Sequence, residues 1–427
     1  MKKIVLFLLV MIAVTTVGQI PTPTLNFGIT SHNEPGEDYS TNANYRPVRD
    51  TLQRIVDLIS TKSAKYNMEL SVNFVQGCLN HEVAASTSTD VIEYAYKMGG
   101  LPYGNVVEID PRFKAPAPYS IADVSYSIAL TGAQASNVVG GFVYYNNTSS
   151  TYTVGDWLTY TTTISGIQNT TYSWTPNIIW GAGSIPPHSK DLDNYGVWKP
   201  RGKADSVDFY CHNPSQTVWN QGNGCSWVLT PTTNVNMMIS EIRTEATKIK
   251  NGTYPANKFY NASLMINFKD FKNASYPTFQ MPVILSRVLD SMNVLAASGL
   301  IAWKTITQKQ TAFSTWTVTT GIPFSQWKCG QTATLAPTCN LASVNELTDN
   351  DENFKVFPNP VTTELSYEFS SLENKNSYLF VYDNLGREVI KQLINEPFGK
   401  ISVENLSLGL YLINVTGTRP KKLLITK

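Results

Sequence analysis

Between residues 24 and about 320 the chain alternates two kinds of segment, and this alternation limits its fold more than any other feature. Short apolar runs end in polar or turn-forming residues, and stretches with apolar residues at helical spacing follow them. The first run, residues 24–30, ends at His32-Asn33-Glu34. A helix is expected next, where Leu52, Ile55, Val56 and Ile59 recur at the helical period. Residues 68–75 read as a second strand, with His81 and Glu82 just beyond it. Residues 89–98 read as a helix stopped by Gly99-Gly100, and 106–109 as a third strand with Asp110-Pro111 at its tip. Further strands are expected at 138–144, 177–180, 207–210, 264–268 and 300–305. Helices are expected at 121–130, around Met238, Ile242 and Ile249, and at 282–297. Alternation of this kind builds a parallel sheet with right-handed crossovers. The expected fold class is α/β, with a (β/α)7-8 barrel-like domain over residues 19–330.

The flanks have a different character. Lys2 and Lys3 precede an apolar run, Ile4 to Val14, which suits a signal peptide over residues 1–18 and is too short to span a bilayer. No other segment is long and apolar enough to cross a membrane. Residues 331–353 read as a linker. Beyond it Leu365, Tyr367 and Phe369 alternate, then Tyr378, Phe380 and Tyr382, then Tyr411, Ile413 and Val415. Period-two patterning between Gly and Asn turns predicts a small all-β sandwich over 354–427. The five cysteines suit an oxidising destination. Cys329 with Cys339 and Cys211 with Cys225 are the expected pairs, leaving Cys78 over. The absence of a Cys-x-x-Cys pair argues against a cysteine metal site.

The net charge of +1 gives no electrostatic case for nucleic acid or an anionic surface. Only 15% of residues are charged, and Tyr, Trp, Asn and Thr are abundant instead. That surface suits contact with a neutral polymer such as polysaccharide, and equally an ordinary secreted β-rich surface. All four histidines, His32, His81, His188 and His212, fall at or just after predicted strand ends. In a barrel such positions converge on one face. Glu34, Glu82 and Asp110 supply carboxyls there. Two carboxylates with separated pKa values do acid/base work on a sugar, and two His with a carboxylate hold a divalent metal. Neither arrangement has a specific spacing, and the sequence names no metal or cofactor. Trp180, Trp198, Trp219 and Trp227 sit in loops dense in turn formers, where they would line a sugar cleft or pin the loops to the core.

Two resemblances add to this reading. The segments Phe354-Lys-Val-Phe-Pro-Asn-Pro360, Tyr382-Asp-Asn-Leu-Gly-Arg-Glu388, Leu406-Ser-Leu-Gly-Leu-Tyr-Leu-Ile-Asn-Val415 and Lys421-Lys-Leu-Leu-Ile-Thr-Lys427 occur in this order. Together they resemble the C-terminal sorting domain of type IX secretion cargo in the Bacteroidetes. The resemblance implies Sec export to the periplasm, recognition of residues 354–427 by the secretion machinery, and delivery to the cell surface or medium. It says nothing of the cargo's activity. The preceding domain, with its polar first strand tip, resembles the polysaccharide deacetylase and glycoside hydrolase barrels. It departs from the deacetylase pattern in having His32-Asn33-Glu34 where Asp-Asp is usual, and in lacking a His-x-x-x-His pair.

The expectation is therefore a secreted carbohydrate-active hydrolase. Glu34 would be acid or base and Glu82 and Asp110 its partners. His32, His81 and His188 would position substrate or metal. The alternative from a different class is a non-catalytic surface protein that binds glycan through its Trp and Tyr loops. Gly-x-Ser-x-Gly and His-Glu-x-x-His are both absent, which leaves a peptidase without a motif.

Overall fold

The computed structural model describes residues 22–33, 36–84, 89–112, 118–141, 157–181, 193–202, 207–271, 280–330, 354–369, 377–383, 387–415 and 421–426. The expected signal peptide and linker, with Glu34 and His188, lie outside the described residues. The chain divides into two compact units, Met1–Cys339 and Asn340–Lys427.

The first unit is mixed α/β. It opens with β1 (Leu25–His32), α1 (Asn42–Thr61), β2 (Tyr66–Leu70), α2 (Val72–Cys78), α3 (Val91–Lys97), β3 (Val107–Pro111) and α4 (Ile121–Leu130). Short strands follow: β4 (Val138–Val139), β5 (Ile164–Ser165), β6 (Ser173–Trp174), β7 (Ile178–Trp180), β8 (Asn194–Trp198), β9 (Trp219–Gln221) and β10 (Val228–Leu229). The unit continues with α5 (Val235–Lys250), β11 (Asn261–Asn267), α6 (Met281–Ala297), β12 (Ile301–Trp303), α7 (Ile306–Thr320) and β13 (Ser325–Lys328).

The described strands build two main sheets rather than one continuous closed ladder. The first has the order β10-β11-β1-β2-β3 and is parallel throughout. β12 pairs with residues 25–27 of β1 and β2 with residues 29–32, so the two share one edge of the central strand. The second sheet has the order β13-β8-β9-β7-β4. There β4, β7 and β9 are parallel, and β8 runs antiparallel to both of its neighbours, β9 and β13. Ties join the sheets at both flanks. Isolated bridges link Ile109 with Ala135 and Arg112 with Gly140. On the other side the Asn261 side chain donates to Gly222 O at 2.8 Å and accepts from Gly196 N at 2.5 Å.

The register of the first sheet sorts its residues onto two unlike faces. Leu25, Phe27, Ile29, Tyr66, Met68, Leu70, Val107, Ile109, Leu264 and Ile266 lie on one face. They pack with the buried stripes of α1, α5 and α6 into the main core. The opposite face carries Asn26, Gly28, Thr30 and His32 of β1, Asn67 and Glu69 of β2, Glu108 and Asp110 of β3, and Asn261 and Ser263 of β11. This polar face looks toward the second sheet. Met265 there packs against Ile306 of α7 and Val138, Ile178 and Trp180 of the second sheet.

Three local expectations change. The second strand stops at Leu70, and residues 72–78 are helical. Asn33 is the physical reason: its Oδ1 accepts from Ser71 N at 2.9 Å and its amide donates to Ser71 Oγ, which ends the strand at a fixed turn. Residues 207–210 form a 3-10 turn, with Phe209 and Tyr210 against Trp198, instead of a strand. A disulfide joins Cys225 to Cys329, neither of the expected pairings. The fold brings the end of β13 beside the turn after β9, a neighbourhood that sequence distance does not report. Cys211 is also disulfide-bonded, and Cys78 is free and buried.

The second unit is all β. β14 (Phe354–Phe357), β15 (Glu364–Phe369) and β18 (Phe398–Ser402) form one antiparallel sheet. β17 (Glu388–Ile394), β16 (Ser377–Tyr382), β19 (Gly409–Val415) and β20 (Lys421–Ile425) form the other, in that order. Phe354, Leu365, Tyr367 and Ile401 of the first sheet share a core with Leu379, Val381, Ile413 and Leu423 of the second. That shared core is the period-two pattern expressed as packing.

Candidate functional site

The polar face of β1, β2 and β3 carries a column of ionisable groups that ends at the C-terminal strand tips. Glu69, the penultimate residue of β2, is fully buried. His32 at the end of β1 places Nδ1 3.7 Å from Glu69 Oε2. Arg112, just past β3, places Nη1 3.6 Å from the same oxygen. One carboxylate thus lies between two basic side chains, each less than a tenth exposed. Charge pairing of this kind favours the ionised carboxylate. The cradle depends on a glycine. A Cβ on Gly140 would lie 2.9–3.1 Å from Glu69 Cγ, Cβ and Cδ, closer than side chains pack. The Arg112–Gly140 bridge holds that bare backbone in place. Asn33 fixes the β1 tip by its bonds to Ser71 and its 3.0 Å bond to Asn73 Oδ1.

Beside Glu69 on β3, at the same level of the sheet, Asp110 is fully buried. It accepts from Ser136 Oγ at 2.5 Å and Asn67 Nδ2 at 2.8 Å. Burial holds its pKa well above the ordinary carboxyl range, and the charges of Glu108 and Glu69 push the same way. Deeper in the sheet, Glu108 accepts from Asn67 Nδ2 at 2.9 Å, Thr305 Oγ1 at 2.7 Å and Thr307 N at 3.2 Å. Asn67 Oδ1 accepts from Ile306 N at 2.9 Å. The first turn of α7 therefore closes the base of the column with its backbone donors. Lys309, one turn on, donates to Ala262 O at 2.7 Å and Ser263 Oγ at 2.8 Å. Gly28 leaves room for it: a Cβ there would lie 2.5 Å from Lys304 O and 3.3 Å from Lys309 Nζ.

Burial lowers Lys309 to about 7, with the charge of Glu108 acting the other way. An unfolded lysine titrates near 10.4, so between about pH 7 and 10 the unfolded chain holds one more proton than the folded chain. Lys309 therefore adds stability as pH rises through that window, by up to about 1.4 kcal/mol per unit. The raised carboxyls of Asp110 and Glu108 act oppositely: their stabilisation is complete below about pH 4 and fades as pH climbs through their folded values. Urea midpoints of wild type and Lys309→Met compared from pH 7 to 10 isolate the lysine. The gap between the two should move in favour of wild type as pH rises. A gap that stays constant would mean Lys309 is not perturbed.

The other candidate residues occupy different surroundings. Glu82 is buried in a π-helical turn, residues 79–83, where it accepts from Tyr45 OH at 2.7 Å, Arg49 Nε at 2.5 Å and Val91 N at 3.0 Å. His81 in the same turn lies 3.3 Å from Tyr39 O and 3.2 Å from Ser40 O, with its ring near Tyr45. None of these contacts belongs to the strand-tip column. Trp180 is buried in the space between the sheets. Trp198 is fully buried and donates to Phe209 O at 2.8 Å, and Trp227 packs on Phe27. Trp219 is only partly buried, at the start of β9, with Lys199 Nζ 4.9 Å from its ring centre. His212, whose pKa is lowered to about 4 by burial and by Lys199, stacks between Trp219 and Phe324.

Glu69, Arg112 and Gly140 escaped the sequence reading. Period two across Tyr66-Asn67-Met68-Glu69-Leu70 was the available signal, because it puts Asn67 and Glu69 on one face. Among the described residues, the His/Cys/carboxylate group close enough to share an ion is Cys225, Glu245 and Cys329, and its two sulfurs are joined in the disulfide.

Comparison with known proteins bears on the two units differently. No curated protein matches the chain. A 4-alpha-glucanotransferase from Thermococcus litoralis superposes with a TM-score of 0.39 at 10% identity, over 68% of this chain. The chain spans 41% of that protein's length. A protein described as a glycoside hydrolase/deacetylase from Parabacteroides distasonis gives a TM-score of 0.40 at 9% identity, over 94% of this chain and 85% of that one. Similarity this low carries no argument about activity. Residues 355–426, in contrast, match the family described as the secretion system C-terminal sorting domain. The second unit is therefore a type IX sorting domain, which implies that the chain is a secreted or cell-surface protein.

Proposed function

We propose that the first unit is a carbohydrate-active hydrolase, of glycoside hydrolase or deacetylase type, carried to the cell surface or medium by its sorting domain. One observation carries the reading: Glu69 is held between His32 and Arg112 at the tips of adjacent parallel strands, beside Asp110, whose pKa burial raises. Carboxyl groups whose surroundings push their pKa values apart are the means by which sugar-cleaving sites separate acid from base. Glu69 is the ionised carboxylate that attacks or activates water. His32 moves the proton, and Arg112 keeps the carboxylate charged and aimed. Burial of Asp110 beside it raises that carboxyl's pKa and so disfavours a second negative charge at the site. Glu34 keeps its acid/base role, and His188 its substrate-positioning role, on sequence grounds alone.

We also propose that this unit closes as a barrel. β11, β1, β2 and β3 form one parallel run, and β4, β7 and β9 another. The bridges at Ile109–Ala135 and Arg112–Gly140 lie where the missing ladder would run. A signal peptide over residues 1–18 and passage through the periplasm complete the proposed route. The glycan-binder alternative is disfavoured because Trp180, Trp198 and Trp227 are buried and offer no stacking surface.

The test is a panel of neutral and acetylated polysaccharides incubated with the purified chain, scored for new reducing ends and for released acetate. One of the two products is expected from at least one substrate. A chain that binds a glycan firmly and releases neither product would replace the hydrolase reading with the binder.

A further inference from the structure

The sorting domain presents two outer faces of opposite character. On the three-stranded sheet the outward residues are interleaved charges. Lys355 stands opposite Glu368, and Lys400 Nζ meets Glu364 Oε2 at 2.8 Å. Exposed Phe357 and Phe398 stand singly there, each opposite a polar residue, Ser366 and Glu368. This is how a solvated sheet face is ordinarily built.

The four-stranded sheet is different. β16 alternates strictly, with Leu379 and Val381 in the core and Tyr378, Phe380 and Tyr382 turned outward. The three rings form a column with centroids 6.2 and 6.0 Å apart. Register then sets Leu393 beside Tyr378, Leu412 beside Tyr382, and Leu410 opposite Leu424. Tyr378, Leu393, Leu410 and Leu424 are 38%, 44%, 52% and 40% exposed. Lys391 Nζ lies 4.9 Å from the Tyr378 ring centre and 5.6 Å from that of Phe380, and Lys422 stands next to Leu412. One face of a small domain thus gathers a contiguous aromatic and aliphatic surface carrying two cations, with Glu388 opposite Tyr382 at its end. Patches of this kind on soluble domains mark interaction sites.

A sorting domain acts by being bound, so the family assignment itself supplies the occupant. We propose that the outer face of β17-β16-β19-β20 is the surface by which the type IX machinery holds this domain. The receptor would present an apolar patch to Tyr378, Leu410 and Leu424, and acidic groups to Lys391 and Lys422. The charge-laced face of the other sheet stays in solvent. This rests on the sorting-domain assignment and is independent of the hydrolase reading.

The experiment expresses the full chain in a bacterium with a working type IX system and measures the exported fraction. Wild type is compared with a deletion of residues 354–427, with the triple variant Tyr378→Ser/Leu410→Ser/Leu424→Ser, and with Phe398→Ser on the opposite face. The triple variant should lose at least tenfold in export while its purified form melts as wild type does. Phe398→Ser should be exported normally. Lys391→Glu, which leaves the apolar surface intact, should lose export several-fold, and it decides the matter if the triple variant does not fold. Normal export of Lys391→Glu and of a folded triple variant would overturn the proposed face. A wild-type dimer that the triple variant disperses without loss of export would assign the face to a second copy instead, and overturn it equally. Export of the deletion would overturn the sorting assignment itself, an outcome distinguishable from failure of the face alone.

Discussion

Glu69→Gln should lower turnover of the responsive glycan by about a thousandfold or more, which corresponds to roughly 4 kcal/mol of transition-state stabilisation. The amide has nearly the shape of the carboxylate but can neither attack nor take a proton. The same change leaves Arg112 and His32 without the charge they face, and removing one partner of a buried pair costs about 3–5 kcal/mol of stability. Loss of activity could therefore be mistaken for loss of fold. Two further measurements separate them. Activity is measured well below the variant's melting temperature, on protein whose near-ultraviolet dichroism matches wild type. Glu69→Ala is then assayed with added formate or azide, small anions able to enter the vacated space and act for the missing carboxylate. Partial rescue is expected if Glu69 performs chemistry, whereas a purely structural Glu69 gives no rescue. Full turnover by folded Glu69→Gln would remove this residue from the mechanism and leave the acid/base role to Glu34.

Glu69 shows where reading a sequence stops. The apolar residues of β1 and the stripes of α1 and α6 are visible as periodicity, because burial on one side leaves a repeating trace. The second strand was visible too, but Val72, Phe74 and Val75 favour strand by type and extended the run past its real end. Only the bond from Asn33 to Ser71 N, made across 38 residues, says where β2 stops. Without that end point, Glu69 reads as the start of a strand rather than as its tip. Arg112 was hidden behind Pro111 for a similar reason. α7 left even less trace. Its sequence, Ile306 to Thr320, is crowded with Thr and carries little apolar stripe, yet its first turn closes the base of the polar column. Its start was nonetheless written in the capping box of Thr305 and Gln308. The sorting domain was legible throughout, because period-two alternation and ordered motifs both survive in a single sequence.

The cysteine pairing could not be read from spacing, and its position makes it a strong staple of the first unit. Cys225 and Cys329 lie 104 residues apart and close a loop that holds α5, β11, α6, β12 and α7. In the chain-entropy picture, a cross-link over about 100 residues stabilises by roughly 4–5 kcal/mol, chiefly by restricting the unfolded chain. The bond also fixes the end of β13 beside α5. Glu245 of α5 there accepts from Tyr254 OH at 2.7 Å and Tyr195 OH at 3.1 Å, so the second sheet is anchored to the helices behind the first. Cys225→Ser/Cys329→Ser should therefore lower the melting temperature of the first unit by about 10 °C, taking a shift of 2–4 °C per kcal/mol for a unit of this size. Partial cancellation is expected, because the tyrosine bonds to Glu245 survive the substitution. Wild type under a reducing agent should fall by at least as much, since Cys211 is disulfide-bonded as well. A double serine variant that melts within 2 °C of wild type would show that hydrogen bonding around Glu245 holds this corner by itself.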